Sequence, residues 1–176
     1  MSQIRRIFRA IRNYAGAYGH MENLQKMMPN WLPVGDQKTG VIGEFYAKIY
    51  LSSIYPEVEI TFGDTDQQGW DLEVKVDPKP TRVQVKTVSE HSKTRRISPI
   101  YPGWDKLYLV FLDKGLYPVG FWEIDDASIV PTDGRLANRT MPKPGEPNSG
   151  SVVFADRKDR LPELVQAIRS FELTMQ

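Results

Sequence analysis

Residues 69–88 read GWDLEVKVDPKPTRVQVKTV, and the fold is decided by them. Two stretches alternate with a period of two. In 70–76, Trp70, Leu72, Val74 and Val76 point one way, while Asp71, Glu73 and Lys75 point the other. In 82–88, Val83, Val85 and Thr87 share a face, and Gln84, Lys86 and Val88 share the opposite one. The DPKP between them suits a turn, because aspartate and proline favour turns and proline has no N–H for a ladder interior. The two stretches therefore predict a hairpin that brings Asp71 toward Gln84 and Lys86.

Further elements surround this hairpin. A strand is expected at 58–62, followed by the polar loop GDTDQQG. A basic loop at 89–104 leads to KLYLVFL at 106–112, whose nearly unbroken apolar character suits a strand buried on both faces. Another strand is expected at 117–124, after the Lys114-Gly115 turn, and a short one at 151–154. Residues 3–15 form an amphipathic helix, with Ile4, Ile7, Phe8, Ile11 and Tyr14 on one stripe and Arg5, Arg6, Arg9 and Arg12 opposite. A second helix is expected at 21–28, ending before Pro29. The helix at 40–52 has Val41, Phe45 and Ile49 on a face broadened by Ile42 and Tyr46, and it contains Glu44. A closing helix is expected at 159–173, with Pro162 in its first turn. Residues 29–38 and 131–150 are rich in turn formers and read as loops.

The order implies one α/β domain over residues 1–176, with a mixed central sheet of about five strands flanked by α-helices. Its parts are N-terminal helices at 1–28, a core at 40–124, a long Pro/Gly loop at 131–150 and a C-terminal helix at 159–173. A chain of 176 residues suits a single domain. With 40% hydrophobic and 26% charged residues, the chain has the balance of a folded protein. No apolar run approaches bilayer length, so no membrane association is expected. The arginine-rich start loosely resembles a transit peptide but reads as part of the fold. Cysteine is absent, which excludes a disulfide framework and fits a reducing, cytoplasmic setting. With His20 and His91 the only histidines, a metal would be held by oxygen donors, which suit magnesium, manganese or calcium.

Phosphodiester hydrolysis needs a divalent cation, oxygen ligands to hold it, and a cation near the attacking water or the charged transition state. Asp71, Gln84 and Lys86 supply such groups on a shared hairpin. The Val85 carbonyl is a further oxygen donor, Glu73 lies on the same strand face as Asp71, and Glu44 on the preceding helix can reach the same place. Lys93, Arg95 and Arg96 leave the strand that carries Lys86, so they are placed to meet nucleic-acid phosphates.

A helix glutamate (Glu44), then GWD at 69–71, then VQVK at 83–86, resembles the PD-(D/E)XK, or restriction-endonuclease-like, nuclease superfamily. The resemblance covers roughly residues 40–112. It implies a Mg2+-dependent (or Mn2+-dependent) endonuclease acting on DNA, with no small-molecule cofactor and with homodimerisation for double-strand cleavage. Asp71 would be the principal metal ligand, joined by Gln84, Val85 and Glu73. Lys86 would activate water and stabilise charge, and Glu44 would act through a water. Trp70 replaces the proline of the family motif, and Gln84 stands where an acid is usual. That QxK form resembles the Mrr-like branch.

Each residue also has a plainer reading. Gln84 and Lys86 suit a solvated strand face, Glu73 and Lys75 a cross-strand ion pair, and Glu44 a surface partner of Lys48. A catalytically inactive nucleic-acid-binding module, or a protein-interaction domain, is the alternative function.

Overall fold

The computed structural model describes residues 3–27, 39–63 and 69–173. The expected loop at 29–38, residue 28 and most of GDTDQQG lie outside the described residues. The chain folds as a single α/β domain built on a six-stranded mixed sheet, β1 to β6 in simple sequential order. The strands are β1 (Ile60–Phe62), β2 (Leu72–Val74), β3 (Thr81–Ser89), β4 (Lys106–Leu112), β5 (Pro118–Ile124) and β6 (Lys158–Asp159). Only β3 and β4 run parallel; every other neighbour is antiparallel. The hairpin forms as the alternation requires, with Leu72 opposite Val83 and Val74 opposite Thr81.

The helices are α1 (Gln3–Met27), α2 (Thr39–Ile54) and α3 (Leu161–Leu173). Their apolar faces pack with Leu72, Val74, Val83, Val85, Tyr108 and Phe121 on one side of the sheet. Among the described residues, no α-helix covers the other side. There, segments 95–100 and 136–141 pair as an irregular ribbon, through Ile97 N–H to the Arg139 carbonyl and paired bonds between Ile100 and Leu136. Ile97, Ile100, Leu136 and Met141 from this ribbon bury Leu107, Leu109 and Trp104. The long Pro/Gly loop is thus part of the second core layer.

Three expectations are corrected. First, the helices expected at 3–15 and 21–28 are, over the described residues, parts of one helix, α1, which runs from Gln3 to Met27. Gly16 and Gly19 weaken a helix by roughly 1 kcal/mol each, yet Tyr18 beyond Gly16 stacks on His91, with ring centroids 3.9 Å apart. Tertiary packing carries the helix through both glycines. Second, 151–154 is not a strand. It is a 3-10 turn, Val152–Phe154, with Phe154 buried and Val152 exposed. Third, the last strand is instead Lys158–Asp159, which pairs with Trp122 and Glu123. Two charged residues carry no apolar alternation, so periodicity cannot find them.

Glu123 on β5 is 3% exposed. It is held by Lys106 at 3.1 Å, Arg160 at 3.3 Å and the Tyr108 hydroxyl at 3.3 Å. This cluster ties β4, β5 and the start of α3 together.

Candidate active site

Strand β2 begins at Leu72, but β3 runs on past Val83 to Ser89. Beyond Val83, therefore, β3 has β4 on one side and no β2 residue paired on the other. Asp71 sits at this step in the sheet. Its N–H donates to the Val83 carbonyl (2.8 Å), one residue out of the β2–β3 register, and its carbonyl accepts from Gly63 (2.9 Å). With the Asp71 carbonyl taken up by Gly63, the Val85 N–H needs another acceptor. The Asp71 carboxylate provides it: Oδ2 accepts from Val85 N–H at 2.6 Å. In a strand, the N–H and C=O of one residue point to the same side, so the Val85 carbonyl also faces this open edge.

The irregularity explains a fourth departure from the alternation. Trp70 does not follow Leu72 and Val74 into the helix-side core. Its ring lies instead near the Arg82 guanidinium, 5.5 Å from the ring centre.

Helix α2 brings Glu44 to the same edge. The approach is close because residue 43 is glycine: a Cβ there would fall 1.8 Å from Thr87 Oγ1. Burial, helped by the Asp71 charge and opposed in part by Lys86, pushes the Glu44 carboxyl up to about 7. Burial also raises the Asp71 carboxyl, against the lowering effects of the Val85 N–H and of Lys86. The Lys86 ammonium is pushed down by burial and held up by Asp71 and Glu44. Lys86 Nζ donates to Ser98 Oγ at 3.2 Å, a contact from the ribbon on the non-helical face. Sequence reasoning missed Ser98, which lies 12 residues downstream in an irregular loop with no pattern to mark it.

Asp71, Glu44 and Lys86 are thus within electrostatic reach of one another, and Val85 touches Asp71 directly. Gln84 is 1% exposed, so its amide is a buried group rather than a solvated strand face. Glu73 is not drawn into this group. It pairs with Arg82 at 3.3 Å, directly across the hairpin. Lys93 and Arg96 are exposed beyond the end of β3, whereas Arg95 turns inward and donates to the Met141 carbonyl at 3.0 Å.

Among the described residues, no three Asp, Glu, His or Cys side chains gather as a metal cluster. The donor set at the open edge is two carboxylates and one peptide carbonyl. All are hard oxygen donors, of the kind magnesium takes together with several waters. Two carboxylates face one lysine here, so one negative charge is left over, and a cation would relieve it. The residues present therefore fit a magnesium-type ion.

No protein-family model matches the chain. No curated protein matches it. Among solved structures, a bacterial homing endonuclease is similar over 76% of this chain and 96% of its own, with 14% identity and a TM-score of 0.43. A likeness that distant carries no argument about chemistry, which rests on the side chains. Among the described residues, no helix is long and apolar enough to cross a membrane.

Proposed function

We propose that this chain is a divalent-metal-dependent endonuclease of the restriction-endonuclease-like, PD-(D/E)XK class, in a QxK form similar to the Mrr-like branch. Its reaction is hydrolysis of DNA phosphodiester bonds. The supporting observation is the approach of Asp71, Glu44 and Lys86 at the step where β2 begins and β3 runs on.

Asp71 and Glu44, with Gln84 and the Val85 carbonyl, would hold magnesium, or manganese in its place. When bound, the ion would supply Lewis acidity toward the phosphate and lower the pKa of a water. The Lys86 ammonium, steadied by Ser98, offsets negative charge as it gathers on the phosphate. Glu44, ionised beside the bound ion, would take a proton from the attacking water. The water oxygen joins phosphorus, the bridging P–O bond breaks, and the departing oxygen takes a proton from a second water of the solvent. DNA is preferred to RNA on the resemblance of the motif. One such site cuts one strand, so cutting both calls for a homodimer. A cytoplasmic enzyme without a small-molecule cofactor fits this chemistry.

The test is cleavage of plasmid and linear DNAs with magnesium or manganese by the wild type, Asp71→Ala and Lys86→Ala. Each variant is expected to lose about 100-fold or more in rate. Equal cutting by all three proteins would sink the assignment. The Gln84 amide favours a second reading, a non-catalytic DNA-binding module, because an uncharged ligand weakens a metal site. Such a module would bind DNA in a salt-dependent way and take up no magnesium in calorimetry.

A further inference from the structure

A cavity of about 360 Å³ opens beside the candidate active site, between α1, the start of α2 and the far end of β3. Thr39, Thr87, Ser92, Lys93 and Arg96 are among its walls. It adjoins both catalytic elements. Thr87 follows Lys86 in β3, and Thr87 is the residue on which Gly43, next to Glu44, rests.

The walls have the chemistry of an anion site. Thr39 opens α2, whose first turn has no acidic residue. Thr39 is 9% exposed, and its Oγ1 is buried without a hydrogen-bond partner. A buried hydroxyl left unmatched is unfavourable, and a ligand oxygen would meet that need. Lys93 and Arg96 are exposed, and neither forms an ion pair among the described residues. Glu22 is a carboxylate near this region; it lies against His91, with Oε2 3.5 Å from Nδ1.

We infer that this cavity binds a backbone phosphate of DNA that flanks the phosphate being cut. The identity of the ligand rests on the nuclease reading; the anion site does not. Its donors are the Thr39 hydroxyl, Lys93 and Arg96. Such a contact fixes the register of the strand and adds affinity without reading bases.

The test uses inorganic phosphate and a short DNA duplex, both without divalent metal so that nothing is cleaved. In amide NMR spectra, phosphate is expected to shift Thr39, Gly40 and Val41, and Thr39→Val is expected to weaken this response. The Lys93→Ala/Arg96→Ala double variant, changed only at exposed positions, is expected to bind the duplex about 10-fold more weakly. Its slope of log affinity against log salt should fall by about 2. Unmoved amides, or a double variant with wild-type affinity and slope, would overturn the inference. The two readings fail separately. A wild type that cuts DNA while the double variant binds normally defeats the cavity alone. Phosphate in the cavity with no cleavage under any divalent metal defeats the nuclease alone.

Discussion

Asp71 Oδ2 accepts the Val85 N–H at 2.6 Å, so the first carboxylate of the site also completes the hydrogen bonding of the strand that carries Lys86. The two roles separate by substitution. Asp71→Ala leaves the Val85 N–H without its acceptor and is expected to cost about 1–3 kcal/mol. Asp71→Asn keeps an acceptor oxygen and removes the charge. It should melt within about 1 kcal/mol of wild type yet bind magnesium far more weakly. Urea denaturation and calorimetry on the same two proteins check this. If both variants lose equal stability, the hydrogen bond is not what Asp71 contributes.

Glu44 gives the site a pH signature. Its carboxyl rises from 4.5 to about 7 on folding, so the folded protein binds the proton more tightly than the unfolded chain. Any stability from this group is therefore full below pH 4.5 and is lost as pH rises through 4.5 to 7. Above 7 the ionised carboxylate costs about 2–3 kcal/mol. Glu44→Gln removes that cost. Without divalent metal, the variant is expected to melt roughly 5 °C or more above wild type at pH 8 and to lose most of that advantage at pH 4.5. Added magnesium should narrow the gap at pH 8 by stabilising the wild type.

Much of this arrangement was legible in the chain, and the reasons are local. Period-two alternation placed Leu72, Val74, Val83 and Val85 correctly, because one buried face fixes the register of a hairpin. The apolar run 106–112 marked β4 to the residue. Asp71, Glu44 and Lys86 were legible as a group because motif order survives folding. Trp70 was misread because alternation assumes a regular ladder, and the Asp71 bonds break it. The contact between Lys86 and Ser98, and the ribbon that replaces helices on the second face, depend on pairings between distant irregular segments. No short-range pattern encodes them.

The close approach of α2 to β3 depends on Gly43. A methyl group there would meet Thr87 at 1.8 Å from Oγ1 and 2.9 Å from Cγ2. Gly43→Ala is expected to cost about 1–3 kcal/mol and to move Glu44 away from the open edge. Cleavage should fall even under conditions where the variant stays folded. Adding Thr87→Ala removes Oγ1 and Cγ2, leaving only the Thr87 Cβ at 2.8 Å, and is expected to recover part of the stability and activity. A double variant no better than Gly43→Ala would count against the contact.

The Glu123 cluster offers a contrast, since it is buried and charged but is not among the charges that act on Glu44, Asp71 or Lys86. Glu123→Ala leaves Lys106 and Arg160 without their shared carboxylate and is expected to cost about 3–5 kcal/mol. Cleavage per folded molecule should not change, which active-site titration with a tight-binding DNA can measure. A loss of turnover larger than the unfolded fraction would bring this cluster into the mechanism.

Gln84 is where sequence and chemistry meet most sharply. It is almost wholly buried on the strand that carries Lys86, in the position where an acid would add charge to the ligand set. Gln84→Glu places a third carboxylate near Asp71 and Glu44. Without metal, like-charge repulsion and burial are expected to lower stability at pH 8 by about 1–3 kcal/mol. With magnesium, the extra charge is expected to tighten binding by about 10-fold, and the metal should restore the lost stability. Thermal melts across a magnesium titration read both effects at once. If the variant is destabilised and magnesium neither binds more tightly nor rescues it, side chain 84 does not face the ion, and the donor set reduces to Asp71, Glu44 and the Val85 carbonyl.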